Sequence, residues 1–126
     1  KAARLEWAGF FTYSPEEDTP AFGMESERRH KRRQKAVRQS LAGLQALQSR
    51  ITEEALKRFT GRRMSLLVEE AVEEEDLYLC RAWMQAPEVD GLVVLNAAAG
   101  SLKPGQVVPG IIKAVNGIDL EADLPA

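Results

Sequence analysis

Between Ser26 and Phe59 the chain runs without a proline and with one interior glycine, Gly43. Such a stretch predicts a single helix, and at about 1.5 Å per residue it would reach about 50 Å. That is a strut, longer than the core helix of a compact fold. Ser26 can cap the first amides, Glu25 and Glu27 suit the positive end of the helix dipole, and Lys57, Arg58 and then Gly61 mark the other end. Val37, Leu41, Leu44, Ile51 and Ala55 recur at helical spacing, broken at Gln48, and give the second half one narrow apolar stripe. The first half, dense in cations, reads as having no apolar face.

Beyond Arg62 the period drops to two. Strands are predicted at 62–72, 77–84, 92–95, 106–115 and 118–124. In the first of them the alternation of Met64, Leu66 and Val68 slips before Val72. Glu73-Glu74-Glu75-Asp76 is too charged to bury and reads as a hairpin turn. Pro104 and Gly105 suit the central positions of a tight turn, and Asn116-Gly117 is the strongest short hairpin signal in the chain. Pro109 lies inside the fourth strand, which places it at an edge or a bulge. Five short strands without an intervening helix predict a small closed antiparallel barrel, because closure removes exposed edges. Upstream of the helix, residues 4–11 read as a short strand and 12–21 as a loop punctuated by Pro15 and Pro20. The expected organisation is α+β, divided at 1–25, 26–60 and 61–126.

The net charge of -2 hides a split. Residues 1–60 carry twelve Lys and Arg against eight Asp and Glu, and residues 61–126 carry five against eleven. The first part is therefore basic and the barrel acidic, which suggests different neighbours for the two. The run Arg28, Arg29, Lys31, Arg32 and Arg33 is a candidate RNA-contacting surface, the plainer reading being a solvated helix face. The barrel lacks the cations of a phosphate-binding groove, and its aromatics, Tyr78 and Trp83, are spaced to point to opposite faces. Three adjacent carboxylates, Glu16, Glu17 and Asp18, have no His or Cys nearby and alternate in direction. A partner-facing acidic loop is a better reading of them than a metal site. Cys80, the single cysteine, falls on a strand as a small apolar residue and has no internal disulfide partner. No leading Met, signal peptide or bilayer-length apolar run is present, so a soluble, cytoplasmic piece of a longer protein without membrane contacts is expected.

Tyr13-Ser14-Pro15-Glu16-Glu17-Asp18-Thr19-Pro20-Ala21, followed by a long helix and a barrel carrying Ala86-Pro87-Glu88-Val89-Asp90-Gly91, Leu102-Lys103-Pro104-Gly105 and Ile118-Asp119-Leu120, resembles the C-terminal part of radical-SAM methylthiotransferases. The last module of that family is the TRAM domain, an OB-like barrel. The resemblance spans nearly the whole chain. It implies that residues 1–25 are the last strand and loop of the radical-SAM barrel and 26–60 a linker helix. Glu16-Glu17-Asp18 and the Ala86–Gly91 string are similar to the RimO branch, which modifies an aspartate of small-subunit ribosomal protein twelve. The tRNA-modifying MiaB branch is the close relative and the alternative. Asp18 stands where the family commonly has glycine, and Asp tolerates left-handed backbone better than most residues.

The implied partners are the ribosomal protein, RNA as a further candidate, and the protein's own N-terminal catalytic domains. Glu69, Glu73, Glu74, Glu88 and Asp90 are the candidate partner-binding residues, since an acidic barrel should attract a basic protein. Phe11, Tyr13 and Ser14 are candidates for lining the family's active cavity. Catalysis in the family uses two 4Fe-4S clusters and S-adenosylmethionine. One cysteine cannot hold either cluster, so no catalytic, metal or cofactor residue is expected in this chain.

Overall fold

The computed structural model describes residues 3, 5–24 and 26–126; Arg4 of the predicted first strand and the dipole residue Glu25 lie outside them. The chain divides into two compact units. One gathers the first residues up to Trp7 with Ser49–Ala126, and the other is Ala8–Gln48.

Helix α1 (Glu27–Leu56) begins where the capping pattern put it, the Ser26 carbonyl accepting the first helical bond from the His30 N–H at 2.9 Å. It ends in a 3-10 turn, Lys57–Phe59. Tightening the last turn this way satisfies carbonyls that an α-helix leaves open. The apolar stripe is buried only at its C-terminal end. Ile51 is enclosed with Thr52, and Leu56 and Phe59 join the hydrophobic core, whereas Val37 and Leu44 are exposed.

Five strands follow: β1 (Arg63–Ala71), β2 (Leu77–Ala82), β3 (Val93–Asn96), β4 (Val107–Asn116) and β5 (Asp119–Asp123). They close into a barrel in the order β1-β2-β3-β5-β4. The predicted architecture, a long helix and then a closed five-stranded barrel, is present. One seam differs from the antiparallel expectation: β3 and β5 are parallel. The reason is parity, because strand directions cannot alternate all the way round a closed ring of five. The core is filled by alternate side chains, including Leu66, Val68, Cys80, Leu95, Ile112 and Leu120, all fully buried.

Two bulges bend the sheet. The slip in the β1 pattern is an extra residue between Val68 and Glu70, and a second shift lies between Ile112 and Ala114 on β4. Pro109 is not at a bulge. Val68 and Ile112 donate N–H bonds to Gln106 and Arg62 carbonyls, so the even positions of β4 face β1. The missing N–H of Pro109 therefore faces the other side, where pairing with β5 has already ended at Ile111. The β4–β5 hairpin turns one residue later than Asn116-Gly117, at Gly117-Ile118, with Gly117 at φ 64 in the first central position. That is the geometry a two-residue turn with leading glycine provides.

The predicted strand at 4–11 is not formed. Described residues from Leu5 to Glu16 take no regular structure, no strand among the described residues being paired with them. Trp7 packs on the barrel core, the Glu6 carbonyl accepts a bond from the Thr52 hydroxyl, and the Glu6 carboxylate pairs with Arg58.

Candidate functional site

In the barrel unit, the loops on which acidic candidates sit are held by internal bonds. At one end of β2 is the turn after β1. Asp76 accepts from the Ala99 N–H at 2.7 Å, and its carbonyl accepts from Ala97 at 3.1 Å. Beside it the buried Tyr78 hydroxyl donates to the Ala98 carbonyl at 3.1 Å and accepts from the Leu102 N–H at 3.2 Å. That accepted bond is the main cause holding the Tyr78 hydroxyl below its ordinary pKa. At the other end of β2, Gln85 accepts from the Ala82 N–H at 3.0 Å, and Asp90 accepts from the Ala86 N–H at 2.8 Å.

This fixes where the five acidic candidates stand. Glu73 and Glu74 are exposed at the first end, and Glu88 is exposed at the second. Six strand residues separate the ends, about 20 Å at 3.3 Å per residue. The barrel does not gather them into one cluster. Glu69 is engaged with Arg81 at 2.9 Å, and Asp90 is engaged in its own loop. Glu74 and Glu88 sit at φ 61 and 59, a backbone region uncommon for residues other than glycine.

Cys80 lies in the core with its thiol pushed up to about 11, first by burial and then by Glu69. It is held as a neutral thiol, unlike the thiolate that ligates metal. Among the described residues, no group of three or more His, Cys, Asp or Glu is placed to hold a metal ion.

The helix-and-loop unit offers a different surface. Asp18 takes φ 63 in the tight loop where Thr19 donates to the Glu16 carbonyl at 2.8 Å. Upstream of that loop, Thr12 and Tyr13 stand over α1 and enclose a cavity of about 310 Å³ with His30, Arg33, Gln34 and Arg38. Tyr13 and His30 meet edge to face, centroids 6.0 Å apart and planes at 83°. A second hollow of about 400 Å³ runs from Phe11 along Val37, Leu41 and Leu44. Arg33 borders both.

Of the predicted cavity residues, Phe11 and Tyr13 border these hollows, Phe11 being 93% exposed; Ser14 is exposed and borders neither. The sequence reading took His30 and Arg38 only as part of the basic first half of α1 and did not single out Gln34. The helical period alone puts 30, 34, 37 and 41 on one face, which was the available signal. The opposite face carries Arg28, Lys31, Arg32 and Lys35 within an arc of about 100°, and Arg38 lies between that face and the cavity it borders. All five are exposed.

The family model described as TRAM domain matches residues 60–124. The chain is similar to the ribosomal protein uS12 methylthiotransferase RimO of Treponema denticola, 44% identical over 132 residues, covering 97% of this chain and 27% of that protein. It is also similar to the proteins of that name from Lawsonia intracellularis, 37% identical over 120 residues and covering 94% and 26%, and from Koribacter versatilis, 36% identical over 130 residues and covering 98% and 24%. The chain spans about a quarter of the length of these relatives. No helix among the described residues is long and apolar enough to cross a membrane.

Proposed function

Because the chain belongs to the TRAM-domain family, we propose that it forms the C-terminal substrate-recognition region of a cytoplasmic RimO-type radical-SAM methylthiotransferase. The reaction assigned to the whole protein is addition of a methylthio group to an aspartate of small-subunit ribosomal protein twelve. The likeness to proteins named for that reaction, across 97% of this chain, carries the reading. Iron–sulfur clusters and S-adenosylmethionine would be held by other parts of the protein. The residues here do not fit a cluster, since the only cysteine is sealed in the barrel core as a neutral thiol.

What this chain contributes is binding and steering. The exposed acids Glu73, Glu74 and Glu88, set on loops anchored by Asp76, Tyr78 and Asp90, present negative charge at both ends of the barrel. A basic ribosomal protein is drawn to such a surface and a polyphosphate is repelled by it. Titrating the chain with purified protein twelve tests this. Reversing the three acids (Glu73→Lys, Glu74→Lys, Glu88→Lys) should weaken capture about tenfold at low salt, with melting unchanged. Equal affinity in the triple variant would sink the acidic-surface reading. Glu69 is left intact because its reversal would set two cations together at Arg81. A MiaB-type, tRNA-modifying assignment is the alternative that the basic helix favours, and an anticodon stem-loop in the same titration decides between them.

A further inference from the structure

We infer that the loop between β2 and β3 and the turn between β4 and β5 together form a docking site for a basic polypeptide segment, with Trp83, Val89 and Ile118 as apolar anchors and Glu88 as the charged contact. This site rests on the reading that the barrel receives a basic protein, and it specifies which end of the barrel takes hold.

Apolar exposure is concentrated at these two segments. Trp83 is 81% exposed and Val89 79% on the loop, and Ile118 is 45% exposed on the turn. Exposed apolar surface set among polar residues marks interaction sites, and Trp is prominent among the residues that carry binding energy. The turn at the other end of β2, with Glu73 and Glu74, has charge but no large apolar side chain exposed.

The loop and the turn are also fixed in advance. Asp90 accepts from the Ala86 N–H at 2.8 Å and donates its own N–H to the Ala86 carbonyl at 3.3 Å, which closes the loop on itself. Glu88 is held at φ 59 inside that closure, a conformation that persists where the surroundings impose it. Gly91 lies too close to the Ile118 carbonyl to admit a Cβ, so loop and turn touch through backbone. The Leu92 N–H donates to Asp119 at 2.8 Å, and the Leu120 N–H donates to the Leu92 carbonyl at 2.9 Å. Anchors presented on such a frame lose little freedom when a partner covers them.

Charge selects the occupant. From Ala82 to Leu102, and again from Ala114 to Ala126, there is no Lys or Arg. The same stretches carry Glu88, Asp90, Asp119, Glu121 and Asp123. A polyphosphate is repelled there, whereas Lys or Arg is attracted and can also lie over the Trp83 ring. The closed barrel offers no edge for an added strand, so side chains do the recognising. A segment that intersperses Lys or Arg with apolar residues meets both requirements.

The test is calorimetric titration of the full-length natural protein, and of this chain, with purified protein twelve, a synthetic peptide alternating Lys and Leu, and polylysine. Trp83→Ala and Val89→Ser should each weaken protein twelve and the alternating peptide about tenfold, and the loss should persist at high salt. Trp83→Phe should keep most of the affinity, and melting should match the parent in all three variants, since both positions are exposed. Polylysine should bind more weakly than the alternating peptide, because it brings charge alone. Unchanged affinity in Trp83→Ala and Val89→Ser would overturn the proposal and leave the acidic-surface reading standing. Failure of protein twelve to bind, with the alternating peptide still sensitive to Trp83→Ala, would sink that reading and keep the site. Absence of binding by every probe overturns the site as well, as does an RNA oligonucleotide that displaces the peptide. So does self-association of the parent that Ile118→Ser abolishes, or binding by this chain that the full-length protein lacks, which would show the surface covered by the protein itself.

Discussion

The barrel and the helix-and-loop unit use apolar residues in opposite ways. From Ile51 onward, fourteen apolar side chains are buried, and they include the last turns of α1 as well as every strand. Between residues 8 and 48 no described residue is buried, although Phe11, Val37 and Leu44 are as apolar as anything in the core. Burial drives folding in proportion to area removed from water. The barrel unit therefore carries its own stability. The α1 segment up to Gln48 depends on helix propensity and capping, which support an isolated helix only marginally.

Core truncation should separate the two regions most sharply. Leu95 is fully buried on β3, and Leu95→Ala should cost about 2–5 kcal/mol in denaturant unfolding. Leu44, 43% exposed, has no such enclosure, and Leu44→Ala should stay within about 0.5 kcal/mol. Equal losses would mean that the helix stripe is packed as tightly as the barrel.

A smaller effect is expected at Gly91. A Cβ there would lie 1.9 Å from the Ile118 carbonyl oxygen, so the backbone has to move. The move strains the bonds from Leu92 N–H to Asp119 (2.8 Å) and from Leu120 N–H to the Leu92 carbonyl (2.9 Å). Gly91→Ala should cost about 1–3 kcal/mol, read as a shifted unfolding midpoint. An unshifted midpoint would show that the loop and the β4–β5 hairpin separate without loss.

The contrast also explains what was legible in the sequence. In the barrel, alternation together with turn signals and the continuous apolar run Leu92–Leu95 located the five strands, and the slip after Val68 marked a bulge, because alternation is enforced wherever one face is buried. Strand direction was not legible: alternation says which face a residue takes but nothing about which strand adjoins it, so the parallel β3–β5 seam followed only from closure. In the helix-and-loop unit a different constraint was missing. Leu5–Phe11 has strand composition, yet takes no regular structure, because composition alone does not supply a ladder. The acidic candidates were visible as charge, but their bonds were not. Glu69 and Asp90 look like Glu73 in sequence, while the fold commits them to Arg81 and to the Ala86 amide. The cavity at His30 and Gln34 depends on a loop returning over α1, which helical spacing alone does not announce.

The smallest expected effect lies at the residues that tie the chain's start to the barrel unit. The pKa of Glu6 is lowered, chiefly by its own backbone amide and further by Arg58. A carboxyl held below its unfolded value stabilises the fold when ionised. That contribution is present above the unfolded pKa, about 4.3, and is lost as pH falls through the folded value. Since the Glu6 side chain is 30% exposed and its partner more so, solvent screening keeps the effect modest. Glu6→Gln should therefore melt slightly below the parent at pH 7, and the gap should narrow on the acid side of the ordinary glutamate range. A gap that stays constant from pH 7 to pH 3 would assign the loss to packing at Trp7 and Thr52, leaving the charge without a role.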